Sequence, residues 1–183
     1  MAETDLSEEW LVILAVLPAE ATDRDAALIQ GMGEAQFTLL ECEASASTDL
    51  TPGDRVAVAE SDRCGPITRR LTYGTLTESA QAAIRATVGA IIQRHEERFI
   101  EWYNTAEPVS LRRHQLELLP RIGASLRDAI LDERQWRPFA DFTDLEERIE
   151  QLRTPHELLV ERVLTELKDD TDYHLFVAEA PSE

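Results

Sequence analysis

Lysine is nearly missing from this sequence. Of its 18 basic residues Lys168 alone is a lysine and the rest are arginine, set against 36 acids for a formal charge of -18 over 183 residues. A surface so acidic and so poor in lysine predicts a halophilic host, because at molar salt the Debye length falls to about 3 Å and self-repulsion is screened. The acids are interspersed with apolar residues, which argues against a disordered acidic tail. Cysteine is scarce too. Cys42 and Cys64 have no CxxC spacing and no companion ligands, so the sequence speaks for buried or incidental thiols over a disulfide or a metal site. No run approaches the roughly 20 apolar residues of a membrane span. The start, Met1-Ala2-Glu3-Thr4-Asp5, is acidic where a signal peptide is basic. The expectation is a cytoplasmic protein with no membrane partner.

Clustered catalytic groups are lacking as well. His95, His114, His156 and His174 are scattered, and the plentiful carboxylates form no cluster with the His or Lys that a phosphodiester reaction would use. His95-Glu96 does not continue as HExxH, since residue 99 is Phe, and His95 reads as part of a packed helix face. Asp169-Asp170-Thr171-Asp172 lacks the downstream spacing of a calcium loop. Gly31-Met32-Gly33 lacks the third glycine and the helix of a dinucleotide site, so it reads as a turn. We expect no enzyme, no metal and no cofactor.

What is present is a β-rich first part and a helical second part. Trp10 to Leu17 is an apolar run ended by Pro18, and residues 26–30 and 36–42 flank Gly31-Met32-Gly33-Glu34 as a hairpin. Thr51-Pro52-Gly53-Asp54 is a turn into the alternating residues 55–59; residues 61–66 form a loop, and a last strand covers 67–73 with Arg69 and Arg70. Five short strands in about 75 residues predict a small closed barrel, most simply an OB-fold. The barrel face lacks an obvious aromatic platform for bases, since Phe37 and Tyr73 are the only strand aromatics besides Trp10; Phe37 reads as core, and Tyr73 is left undecided. A helix begins near Thr77 and runs to about residue 105, with Ile84, Val88, Ile91, Ile92, His95, Phe99 and Trp102 on one face. Residues 136–143 read as a connector with aromatic anchors. Residues 144–152 and 156–168 form a second helix pair around Arg153-Thr154-Pro155, and 173–178 a terminal strand.

Between the long helix and that pair lies the stretch on which the functional reading rests, residues 116–130. Leu116, Leu119, Ile122, Leu126 and Ile130 recur at three or four residues, so two helices can close on one apolar seam across a turn. Pro120 would end the first helix, Gly123 would supply a positive φ, and the amides opening the second helix would face outward toward an anion. The pattern resembles the helix-hairpin-helix nucleic-acid-binding motif, whose turn reads Leu-Pro-Gly-hydrophobic-Gly. Pro120, Ile122, Gly123 and the following Ala124-Ser125 match, while Arg121 replaces the first glycine and offers a charge contact instead. A purely structural αα-corner is the competing reading.

Two basic islands support a nucleic-acid footprint. Residues 110–137 hold six arginines (112, 113, 121, 127, 134, 137) against four acids, a local +2 that leaves -20 for the rest of the chain. Residues 61–73 hold Arg63, Arg69 and Arg70 against Asp62, again +2. His114, beside the arginines, is weighed between a phosphate contact and an exposed helix position.

Taken together, Phe37-Thr38-Leu39-Leu40-Glu41, Gly53-Asp54-Arg55-Val56, Arg69-Arg70, Glu96-Glu97-Arg98-Phe99, Leu116-Glu117-Leu118-Leu119-Pro120 with Ile122-Gly123, and Val160-Glu161-Arg162-Val163-Leu164 resemble the archaeal domain-of-unknown-function 655 family of predicted RNA-binding proteins. The resemblance implies an α+β multidomain fold, with an N-terminal OB-like small β-barrel followed by an all-α tandem helix-hairpin-helix domain of the RuvA domain 2 type. It also implies work alongside ribosomal or transcription components. The expected domains are residues 1–76 (barrel), 77–108 (connecting helix), 109–170 (tandem hairpins) and 171–183 (strand and tail). The expected function is non-enzymatic binding of nucleic acid, RNA in preference to DNA. The expected contacts are Pro120, Arg121, Ile122, Gly123, Ala124, Ser125, Arg127, Arg112, Arg113, Arg69 and Arg70. The alternative is a protein-interaction adaptor whose hairpin is only structural.

Overall fold

The computed structural model describes residues 8–18, 26–44, 49–58 and 63–178. The acidic start, Ser61 and Asp62 of the expected loop, Ala59 and the last residues of the tail lie outside the described residues. The chain divides into two compact units, Met1–Thr87 with Glu166–Glu183, and Val88–Thr165.

The first unit is built on a curled, antiparallel five-stranded sheet. Its strands are β1 (Trp10–Leu17), β2 (Ala27–Gly33), β3 (Leu39–Ala44), β4 (Arg55–Ala57) and β5 (Cys64–Arg70), in the order β4-β1-β2-β3-β5. Register shifts interrupt β1 between Ile13 and Ala15 and β3 between Glu41 and Ala44, and such bulges bend a sheet over its own core. Leu11, Ile13, Ile29, Leu40, Cys42 and Val56 fill that core. Gly31 and Gly33 lie inside β2, not in a turn as the sequence suggested. The Leu11 side chain occupies the place a Cβ at Gly31 would need, and the Glu8 carboxylate does the same at Gly33. The reversal comes later, around residues 34–38, where buried Glu8 accepts the amides of Ala35 (2.7 Å), Gln36 (2.8 Å) and Thr38 (3.3 Å). The turn at Gly53, with φ 95°, matches expectation.

Two strand expectations shift. The last strand starts three residues early, at Cys64, and ends at Arg70, so Tyr73 opens a short 3-10 turn instead. Residues 173–178 form no strand. They are held irregularly by buried Glu166, whose carboxylate accepts the amides of Leu175, Phe176 and Val177 at 2.9 Å each, while the Ala178 amide reaches the Gln36 carbonyl. Three amides drawn to one carboxylate leave no regular ladder to form.

The expected long helix is two, α1 (Glu78–Arg94) and α2 (Glu96–Thr105), broken at His95, where φ -110° and ψ 36° leave helical geometry. The unit boundary falls inside α1. Ile91, Ile92 and Phe99 are buried as the periodicity requires, with Ile100 beside them; Tyr103 is fully buried, whereas Trp102 and His95 are only half-buried. Tyr103 donates its hydroxyl to the Pro155 carbonyl, and burial pushes its phenol above the usual range.

A two-stranded ribbon, β6 (Pro108–Ser110) with β7 (Arg113–His114), follows, then α3 (Ala124–Trp136), α4 (Phe142–Arg148) and α5 (Pro155–Leu167). Of the expected aromatic anchors Phe139 and Phe142 are buried, whereas Trp136 ends α3 and stands 78% exposed. Asn104 clasps the Phe139 backbone in both directions, at 3.0 and 2.8 Å.

Candidate nucleic-acid interface

The first arm of the expected hairpin is a single 3-10 turn, Gln115–Leu118, where the sequence suggested a helix. His114 is the cause. Its ring Nδ1 accepts the Leu116 amide at 3.1 Å while the Glu117 carboxylate accepts the His114 amide at 2.9 Å, a reciprocal cap that closes one turn. His114 is therefore buried and neither exposed nor available to a phosphate. Burial first, and then the Arg134 and Arg127 charges, hold its imidazole below the usual histidine range.

The turn itself departs from expectation in an informative way. Gly123 has φ -96° and ψ -176°, extended backbone open to any residue. The left-handed residue is Arg121, with φ 66°. Pro120 followed by a positive φ, with the Ile122 amide on the Leu119 carbonyl at 3.4 Å, is the pattern of a type II turn. Arginine thus takes a backbone shape that favours glycine, against a cost of roughly 1–2 kcal/mol for an L-residue there. Leu116, Leu119, Ile122 and Ile130 are buried beneath the turn, and Leu126 is half-buried.

Glycine at position 123 is required neither by torsion nor by packing. A Cβ at this position would meet nothing within 4 Å, no side chain caps α3, and Gly123, Ala124 and Ser125 are all exposed. The first amides of α3 lack helical partners by construction, so they face open space with the positive end of the helix dipole behind them.

The arginines divide. Arg121 lies beside the turn, 63% exposed, with a guanidinium nitrogen 3.0 Å from the Glu161 carboxylate. Arg112 and Arg113 are exposed at the ribbon, and the Arg112 side chain has no ionic partner among the described residues. Arg127 is committed to Glu117 (3.1 Å) and Asp128 (2.8 Å). Arg134 caps α2 through the Tyr103 and Ala106 carbonyls, and Arg137 pairs with Asp144 at 2.8 Å. The island's local +2 is therefore largely internal wiring. The other island belongs to the first unit. Arg69 makes a two-pronged pair with buried Glu41, at 3.0 and 3.1 Å, and half-buried Arg70 donates to the Ala178 carbonyl. The site residues thus form one contiguous group at 120–125, flanked by Arg127, with Arg112 and Arg113 in the same unit and Arg69 and Arg70 outside it.

The sequence missed Trp136 and Leu111. Leu111 is fully exposed at the ribbon tip, and the Arg148 and Arg137 guanidinium carbons lie 5.6 and 5.8 Å from the Trp136 ring centroid. Trp136 falls six residues after Ile130, off the apolar face of α3, which is the one signal that could have marked it as a surface ring. Cys42 and Cys64 are buried free thiols, hydrogen-bonded to each other, and the Cys42 pKa is raised by that bond and by burial. Among the described residues no group of three His, Cys, Asp or Glu could hold a metal ion, and no helix is long and apolar enough to cross a membrane.

The comparisons with known proteins point one way. Residues 12–178 match a family described as a protein of unknown function, DUF655. An uncharacterised protein of Methanocaldococcus jannaschii is 33% identical over 175 residues, 93% of this chain and 80% of its own. A crystal structure of a DUF655 protein from Archaeoglobus fulgidus is also 33% identical, with a TM-score of 0.83 over 93% of this chain and all of that one.

Proposed function

We propose that this protein, which belongs to the DUF655 family, is a non-enzymatic nucleic-acid-binding protein that grips a phosphate backbone, RNA in preference to DNA, at residues 120–125. On this reading the second unit carries a helix-hairpin-helix whose first arm is cut to one 3-10 turn, and the curled sheet is an OB-like barrel that contacts the strand. The observation that carries the reading is the Arg121 backbone at φ 66°, which keeps the motif's turn after its glycine is lost and presents exposed Gly123 beside the open start of α3. Backbone amides there suit phosphate oxygens and carry no sequence information. Trp136 and the arginines beside it offer a face on which a base can stack.

The internal pairing of Arg127, Arg134 and Arg137 favours a second reading, an adaptor for ribosomal or transcription proteins in which the turn is only structural. Gly123→Asp separates the two. Asp is a better N-cap than Gly and complements the helix dipole, so the variant should be as stable as the parent or more so by a few tenths of a kcal/mol. It also sets a carboxylate where the phosphate would lie. In crosslinking at molar salt in cells, loss of recovered RNA in this variant supports the grip; recovery equal to the parent, or none in either protein, overturns it in favour of the adaptor.

A further inference from the structure

A cavity of about 320 Å³ opens in the first unit, lined by Phe37, Leu71, Tyr73, Arg70 and His174 among others. It joins apolar wall to unused donors. Arg70 gives one N–H to the Ala178 carbonyl, makes no other side-chain hydrogen bond among the described residues, and feels the charge of the buried Glu8 carboxylate. Two acids also line the space, Glu166 and Asp169. Glu166 is spent on three backbone amides, and Asp169 is 89% exposed and 3.8 Å from the His174 ring. Lys168 does not itself line the cavity, but its ammonium lies 5.3 Å from the ring centroid of Tyr73, which does. In a chain where every other base is arginine, the sole lysine stands against a cavity-lining ring.

Such a space suits a planar ring attached to a small anion, and its volume sits at the low end of the roughly 300–1,000 Å³ of ligand pockets. We propose that this cavity binds a nucleoside monophosphate, free or as the phosphorylated end of a strand, with the base against Tyr73 and the phosphate on Arg70, where the Lys168 ammonium beside the Tyr73 ring adds a second positive charge. The apolar side chains of Phe37 and Leu71 exclude water from the base, and Arg70 gives charge-assisted hydrogen bonds to the phosphate. The proposal stands apart from the hairpin, since every lining residue belongs to the first unit.

Calorimetric titration of the full chain with adenosine monophosphate tests it. Adenosine monophosphate should bind at least tenfold more tightly than adenosine, and Lys168→Ala and Arg70→Gln should each weaken it at least fivefold. Arg70→Gln removes the bond to Ala178 and could disturb folding, so Lys168→Ala, at an exposed site, carries the decision. A 5′-phosphorylated tetranucleotide identifies the source: if it binds more tightly than the mononucleotide the site takes a strand end, and if more weakly, a free nucleotide. Either result supports the site. No binding of either, equal affinity for adenosine and its monophosphate, or an unchanged Lys168→Ala would overturn it. Gly123→Asp should leave this titration unaltered, so loss of the hairpin grip and loss of the cavity read out separately.

Discussion

The second unit reverses its chain twice at nearly the same interval, and the two turns are built differently. Leu119 and Ile122 are buried at the first and joined by a turn hydrogen bond of 3.4 Å; Ile149 and Leu152, thirty residues on, are buried and joined in the same way at 2.9 Å. Up to this point the two are one device, a closed turn stapled to the core by two aliphatic side chains. They part at the left-handed residue. The first turn holds it inside, at Arg121, and leaves Gly123 bare before α3. The second puts it at Thr154, immediately before α5, where the Glu146 carboxylate accepts the Thr154 amide. A side chain of the protein thus occupies the helix entrance at the second turn, and open space occupies it at the first. Common packing with different entrances is what separates a scaffold from a candidate grip.

The largest effects should fall on what the turns share. Leu119→Ala and Leu152→Ala each remove a fully buried side chain and should cost about 2–5 kcal/mol, read by urea unfolding. Unequal losses, with one variant near zero, would break the equivalence of the two staples. The next effect should fall on what they do not share. Gly123→Asp should weaken RNA binding at least tenfold, whereas Arg153→Asp, at the matching position of the second turn, should change it less than twofold in a gel-shift titration at constant salt. Equal losses would make both turns grips, or make the whole effect one of net charge.

How far this was legible in the sequence depends on the kind of signal. The buried positions of the hairpin were read correctly because aliphatic spacing reports a face directly. The strands of the first unit were placed within a few residues for the same reason. The backbone of the turn was misread because Gly123 was credited with the positive φ. Arginine in that region is unfavourable on its own and survives because Pro120, Leu119 and Ile122 determine the turn around it. Charge was the least legible. The arginines of residues 110–137 counted as a patch, yet Arg121, Arg127, Arg134 and Arg137 are each taken by acids or carbonyls, some adjacent, as Asp128 is to Arg127, and some distant, as Glu161 is to Arg121 and Tyr103 to Arg134. His114, Glu8 and Glu166 show the same limit. Each binds backbone amides in its surroundings, and no periodicity marks a carboxylate or imidazole that will do so.

A smaller effect belongs to the first turn alone, through His114. Its pKa is lowered in the fold, so below the unfolded value near 6.5 the unfolded chain takes up a proton that the folded one does not. Stability from this group is complete above pH 6.5 and falls away as the pH drops toward the lower folded value. The groups around it are Arg134 and Arg127, which oppose protonation, and Glu117, which favours it. His114→Asn keeps an acceptor for the Leu116 amide without the titration, so the stability gap between parent and variant should be constant above about pH 6.5 and narrow as the pH falls below it in urea unfolding. A constant gap across the range would remove the histidine from the account.

The finest distinction lies in the two left-handed residues themselves. Glycine at either position relieves about 1 kcal/mol of backbone strain and costs about 0.5–1 kcal/mol through the freer unfolded chain. Arg121→Gly also gives up an exposed pair with Glu161, worth about 0–1 kcal/mol. It should therefore come out neutral or slightly destabilised. Thr154 is β-branched, for which a positive φ is a greater strain, and it has no ion pair to lose. Thr154→Gly should then be the more stable of the two by a few tenths of a kcal/mol, a difference that thermal unfolding resolves in paired variants. The reverse order would mean that Arg121 is held by more than its turn and that its conformation is part of what the site requires.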